Sequence, residues 1–198
     1  MCVIIHNPAG KPVSLETLKQ CEDYSSDGIG LATYQTKKGL AHVVRDFTDL
    51  NDAVKRFPFI IRGGTRYTLH FRLATSGAVN YLNRHPFAVD DIHLSESPNY
   101  TARRILFHNG IVGHGTTSQS DTAILATILS ELTTKESTDA LLTMLANGNR
   151  FLYYDGKIVT LYGKWDLIEG VYFSNRAWEW KSYTNRDWHD WTGEPLVS

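Results

Sequence analysis

The chain has 198 residues, 42% of them hydrophobic, and a formal net charge of −1; this length suits one large domain, and the near-neutral charge without a long basic run excludes binding nucleic acid mainly through its phosphates. No apolar stretch approaches 20 residues, so no membrane span is expected, and the N-terminus lacks the basic-then-apolar pattern of a signal peptide. With only Cys2 and Cys21 present, a disulfide framework is excluded and a reducing cytoplasm is indicated, while eight scattered histidines in no HExxH or CxxC pattern give no basis for a metal or other cofactor.

The first strand is expected at Cys2-Val3-Ile4-Ile5, running into turn-forming Asn7-Pro8 and Ala9-Gly10. Residues 14–24 read as a short helix with Ser14 as N-cap. Leu15, Leu18 and Cys21 fall on roughly one face of it, which makes Cys21 a buried structural thiol. Residues 29–47 read as two strands joined by a Lys37-Lys38-Gly39 turn. Residues 48–57 read as an amphipathic helix stopped by Pro58. Residues 65–75 alternate, with Tyr67, Leu69 and Phe71 facing one way and Thr68, His70 and Arg72 the other. Residues 103–112 are an apolar strand entering His108-Asn109-Gly110. Two helices follow within residues 120–149, the second ending at Asn147-Gly148. Residues 150–163 form a hairpin in which Asp155-Gly156 favours a type I′ turn, and residues 170–178 hold a further strand. One α+β domain over residues 1–198 is expected, built from antiparallel strands whose apolar faces the helices cover. Four of the five tryptophans lie between residues 178 and 191, within an aromatic-rich tail at about 176–198. This tail is expected to pack on the domain's own flank, with a partner interface as the alternative.

Several of these residues suit one kind of chemistry. If Met1 is removed, Cys2 carries both a nucleophilic sulfur and a free α-amine, whose pKa of about 8 suits proton relay at neutral pH. A thiolate attacking an amide generates an oxyanion, which needs donors about 3 Å from the developing charge. Asn109-Gly110 offers a side-chain amide and a backbone N–H side by side, and glycine permits close approach. Arg72 offers a fork for an α-carboxylate, and Asp121 an anion for an α-ammonium. Singly, each residue has an ordinary structural reading: a salt-bridged arginine, a tight turn, a helix-dipole partner.

In order along the chain, these segments resemble class II glutamine amidotransferase domains, members of the N-terminal nucleophile hydrolases. The family begins Met-Cys-Gly-Ile, against Met1-Cys2-Val3-Ile4 here. It carries Arg-Trp-Ala-Thr-His-Gly and then Asn-x-His-Pro, against Arg72-Leu73-Ala74-Thr75-Ser76-Gly77 and Asn83-Arg84-His85-Pro86. His108-Asn109-Gly110 and Ser120-Asp121-Thr122 match two further motifs, and residues 25–32 resemble the family's Asp-x-x-Gly segment. The resemblance implies a four-layer αββα sandwich of two antiparallel sheets. It implies that Cys2 attacks the glutamine side-chain amide, releasing ammonia and leaving a thioester. Asn109 and Gly110 then form the oxyanion hole, Arg72 holds the α-carboxylate and Asp121 the α-amino group. Thr75, Ser76 and Gly77 lie on the loop that closes over glutamine, and His85 has a positional role at the substrate. No cofactor is implied. The ammonia passes to a separate acceptor synthase or ligase, since no acceptor domain follows in this chain. Three positions depart from the pattern: Val3 for Gly, Leu73 for Trp and Ser76 for His. The last two fall in the glutamine loop and favour the thiol chemistry over the choice of glutamine. The alternatives are an N-terminal nucleophile amidase acting on another amide, and a non-catalytic binding protein retaining the fold.

Overall fold

The computed structural model describes residues 2–113 and 115–179. Its strands are β1 (Val3–Asn7), β2 (Ile29–Gln35), β3 (Leu40–Phe47), β4 (Tyr67–Phe71), β5 (Phe87–Ala88), β6 (Asn99–Ala102), β7 (Ile105–Asn109), β8 (Arg150–Tyr154), β9 (Val159–Tyr162), β10 (Asp166–Ile168) and β11 (Val171–Phe173). Its helices are α1 (Leu15–Tyr24), α2 (Leu50–Arg56), α3 (Phe59–Arg62), α4 (Asp121–Ser130) and α5 (Lys135–Leu145). Seven strands form one sheet in the order β10-β11-β1-β4-β2-β3-β6, and four form a second in the order β5-β7-β8-β9. Every pairing is antiparallel.

Three apolar cores follow from the two-residue period of the strands. Val3, Ile5, Leu69 and Phe71 turn to one side of the large sheet and meet Leu18, Cys21, Leu50 and Ala53 of α1 and α2. Ile4, Ala32 and Val43 turn to the other side and meet Phe107, Leu152 and Tyr154 of the small sheet. Leu106, Phe151 and Tyr153 emerge on the far face of the small sheet, against Leu125 and Leu129 of α4 and Leu142 of α5. The protein is therefore α+β, with two antiparallel sheets facing one another and helices on their outer faces. Ser14, Asp49, Ser120 and Thr134 each cap a helix by accepting a backbone N–H of its first turn, worth about 1 kcal/mol apiece.

The structure differs from the expectations in three places. Pro58 does end α2, but it also opens α3, because a fixed φ and a missing N–H suit the start of a helix. The β8–β9 connection is not a two-residue type I′ turn. Tyr154 pairs with Val159, leaving a four-residue loop, because the Asp155 carboxylate accepts the N–H groups of both Lys157 and Ile158 at 2.8 Å. The short strands β5, β6 and β10 were not anticipated; two to four residues carry too little alternation to register. On the polar side of β4, Thr68 and His70 are fully buried and Arg72 is 2% exposed, between the sheets.

Of the tail, Trp178 packs on Phe173 with ring centroids 5.4 Å apart and donates to the Asn175 carbonyl. Trp180, Trp188, Trp191 and the rest of residues 180–198 lie outside the described residues. Among the described residues no helix is long and apolar enough to cross a membrane, and no group of three or more His, Cys, Asp or Glu is gathered to hold a metal ion.

Candidate active site

The register of β1 against β4 pairs Val3 with Phe71, so Cys2 and Arg72 emerge side by side at one end of two central strands. The Cys2 sulfur lies 3.4 Å from the Leu73 N–H and 3.5 Å from the Leu73 carbonyl. The Cys2 carbonyl accepts from Asn175 Nδ2 at 2.8 Å. Asp27 fixes the chain beside the sulfur: its carboxylate accepts the Ala74 N–H at 2.7 Å, and its own N–H donates to the Arg72 carbonyl at 2.9 Å. Burial pushes the Cys2 thiol up, opposed by the Leu73 N–H and the Arg72 cation. The resting sulfur is thus a thiol that needs a base.

Arg72 gathers the loop that follows it. Its guanidinium donates to Ala78 O and Ser76 O at 2.9 Å and to Gly77 O at 3.4 Å. Gly77 has φ +71°, and a Cβ there would come within 2.8 Å of the Ser120 nitrogen, so only glycine lets the loop touch the start of α4. Asn83 locks the same junction, accepting the Ser120 N–H at 2.8 Å and donating to Ser118 O at 2.8 Å and Ala78 O at 3.2 Å.

From the small sheet comes the end of β7. Asn109 is its last residue, and its Nδ2 sits 2.9 Å from Ser174 Oγ. Gly110 follows at φ +143°, where a Cβ would stand 2.0 Å from Asn149 Oδ1. That oxygen also accepts the Ile111 N–H at 2.8 Å and lies 2.9 Å from His108 Nε2. Burial holds His108 below the usual histidine range, opposed by Asn149 and Asp121. The neutral ring therefore donates from Nε2 to Asn149 and accepts at Nδ1 from Thr122 Oγ1, 2.8 Å away.

Asp121 opens α4. One carboxylate oxygen accepts the Val112 N–H at 2.9 Å and the other the Thr122 N–H at 2.8 Å, which leaves lone pairs for a further donor. His85, joined to Pro86 by a cis peptide, lies with its Nδ1 2.8 Å from His70 Nε2. Burial, reinforced by neighbouring cationic and histidine groups, holds both rings well below the usual range, so the pair is neutral. Gly30 makes room for this segment: a Cβ there would overlap the His85 carbonyl at 1.7 Å.

Cys2, Arg72, Thr75, Ser76, His85, Gly110 and Asp121 all line one cavity of about 20 Å³. Asn109 and Gly77 are not among its lining residues; each adjoins one that is. A space this small admits about one water molecule, less than an amino-acid-sized molecule fills. A cleft of about 470 Å³ lies on the other side of Asn83, lined by Leu82, Phe87, Glu96 and Ala126, and does not reach the sulfur. Asn83 belongs to the Asn-x-His-Pro segment, but no local signal marks Asn149, Ser174 and Asn175, whose partners at the site lie from 38 to 173 residues away. No family model matches this sequence, and no curated protein matches it.

Proposed function

We propose that this chain is a glutamine-hydrolysing domain of the class II amidotransferase type, a four-layer αββα N-terminal nucleophile hydrolase whose ammonia goes to a separate acceptor enzyme. The observation that carries the reading is the convergence of Cys2, Arg72, His85, Gly110 and Asp121, from five separate segments, on one small cavity that residues 73–76 also line. With Met1 removed, the α-amine of Cys2 takes the thiol proton and the sulfur bonds to the side-chain carbonyl carbon of glutamine. The carbonyl π pair moves onto oxygen, where the Asn109 amide and the Gly110 N–H receive it. The proton held by the α-ammonium passes to nitrogen, the C–N bond breaks, ammonia leaves and a glutamyl thioester remains. Water then adds to the thioester, giving its proton to the amine; the C–S bond breaks, the sulfur regains a proton and glutamate departs. Asp121 has lone pairs left for the substrate ammonium, and Arg72 supplies the cation for the carboxylate.

A second reading is favoured by one observation. Three Arg72 hydrogen bonds go to the carbonyls of Ser76, Gly77 and Ala78, an arrangement in which the arginine orders the loop and a different amide takes the place of free glutamine. Intact-mass measurement of the purified protein, followed by an ammonia assay with glutamine, tests the proposal. Loss of Met1 with ammonia release that saturates in glutamine is the expected result. A processed protein that releases none from glutamine but cleaves other amides supports the second reading. A protein that retains Met1 and is inert leaves only the binding role.

A further inference from the structure

Ser174 is fully buried just beyond the end of β11, where it joins the nucleophile strand to the end of β7. Its backbone N–H donates to Ile4 O at 2.9 Å, and its Oγ accepts the Ile4 N–H at 2.9 Å. The same Oγ lies 2.9 Å from the Asn109 side-chain amide. With Nδ2 turned toward Ser174, the hydroxyl oxygen receives two N–H groups, its own hydrogen has no acceptor among the described residues, and Asn109 Oδ1 is buried without a partner. Rotating the amide by 180° exchanges Oδ1 and Nδ2 and leaves every heavy-atom position unchanged. The Ser174 O–H then donates to Oδ1, so both formerly idle groups are paired, and only Nδ2 is left over. One buried acceptor and one buried hydroxyl are satisfied at the cost of leaving one donor open, which favours the rotated amide. The open group is now an N–H donor on the residue next to Gly110, which lines the cavity with Cys2.

We propose that Ser174 is a positioning residue that sets the Asn109 amide with Oδ1 toward itself and the NH₂ group free for the oxyanion. The logic is directional. Because the Ile4 N–H occupies the serine oxygen, the hydroxyl hydrogen is left to bind Asn109, and a bound hydroxyl hydrogen selects the carbonyl side of the amide. The link also fixes the amide relative to Ile4, two residues after the nucleophile. This role rests on the proposed glutamine chemistry, but the orientation itself does not.

The test has two arms. Neutron diffraction from the wild-type protein in heavy water locates the exchangeable hydrogens. The expected map has the Ser174 deuterium on the line to Asn109 Oδ1 and two deuteriums on the far nitrogen; an ND₂ group facing Ser174 overturns the proposal. In the second arm, Ser174→Ala is compared with wild type in ammonia release, alone and in an Asn109→Ala background. Alone it is expected to lower kcat by about ten- to a hundredfold, within the range of one misdirected donor, with KM within about twofold. Added to Asn109→Ala it is expected to cost less than about twofold more, because the group it orients is gone. Equal losses in both backgrounds overturn the role, since a merely structural serine acts through stability in each. Ser174→Cys, which keeps the volume and offers only a weak S–H donor, carries the same cycle if Ser174→Ala folds poorly. Wild-type protein inert toward glutamine removes the functional reading, and the neutron arm still decides the orientation.

Discussion

The inner face of β4 carries two buried polar stations that differ in how they are finished. At Thr68, the hydroxyl lies 2.8 Å from His6 Nδ1 and 2.5 Å from the Tyr34 hydroxyl, and the Arg66 guanidinium stacks 5.0 Å from the centre of the Tyr34 ring. Two residues along, His70 and His85 pair with one another and leave His70 Nδ1 and His85 Nε2 buried without partners. Arg66 Nε is also unpartnered, but the Tyr34 ring face compensates that cation. The Thr68 station closes on itself, which is how a polar cluster stiffens a core. The His70 station keeps its cost open, and its His85 member lines the cavity that holds Cys2. Open valences therefore set the His70 station apart from the Thr68 station, although burial alone does not.

The largest effect that tests this contrast falls on the two cysteines. Cys2→Ala is expected to abolish ammonia release from glutamine while leaving the melting temperature nearly unchanged, since Cys2 lies at a strand end. Cys21→Ala is expected to do the reverse: activity within about twofold of wild type, with the melting temperature lowered by the hole left in the outer core. Ammonia release by Cys2→Ala at the wild-type rate would end the thioester mechanism.

Asn109→Ala is expected to lower kcat by about 10²–10³-fold with little change in KM, because the lost donor bonds mainly to the transition state. Asn109→Asp should be at least as damaging, since an anion there repels the oxyanion. Near-normal kcat in Asn109→Asp would reduce Asn109 to a strand-end residue. The effect of Arg72→Lys is smaller and more telling about the loop. Lysine cannot reach three carbonyls from a planar fork, so KM is expected to rise about tenfold or more, and the amides of residues 73–78 to exchange faster with solvent. Wild type should discriminate sharply between glutamine and an analogue lacking the α-carboxylate, and Arg72→Lys much less. Unchanged discrimination accompanied by faster loop exchange would assign Arg72 to the loop alone and strengthen the reading in which another amide is the substrate.

How far the sequence carries this contrast depends on range. The alternation of Tyr67, Leu69 and Phe71 against Thr68, His70 and Arg72 was legible because a strand's period is local. So was the Ser14 cap, whose bond to Thr17 spans three residues. That the polar side of β4 is buried was not legible, because it depends on a second sheet built mostly from residues after 100. The residues that finish the site are equally remote: Ile4 with Ser174 at a separation of 170, and Cys2 with Asn175 at 173. The motif residues stand out in the sequence because their chemistry is distinctive. Ser174 and Asn149 do not, because a serine after a strand and an asparagine after a helix are ordinary until the fold brings them to Asn109 and Gly110.

The smallest effect, and the one that separates the two stations most cleanly, is the response to acid. Burial, with Arg66 adding to it, pushes His6 down to about 3, and burial likewise holds His70, His85 and His108 below the ordinary histidine value of 6.5. In the unfolded chain all four titrate near that ordinary value. Above it both states are neutral and the full stability is present. As pH falls below about 6.5, the unfolded chain takes up protons that the folded protein refuses, so stability declines toward the depressed folded values. Each such histidine contributes a slope of up to about 1.4 kcal/mol per pH unit, and below about pH 6.5 the four contributions carry the same sign. His6→Asn is expected to remove about one proton from that slope and to leave kcat/KM at pH 7.5 within about twofold of wild type. His85→Asn is expected to remove a similar amount from the slope and to impair glutamine turnover as well, because His85 lines the cavity. Denaturant melts across this pH range, read beside the ammonia assay, decide the matter. Equal loss of turnover in the two variants would mean that the closed station at Thr68 serves catalysis as much as the open one, and the distinction between them would fail.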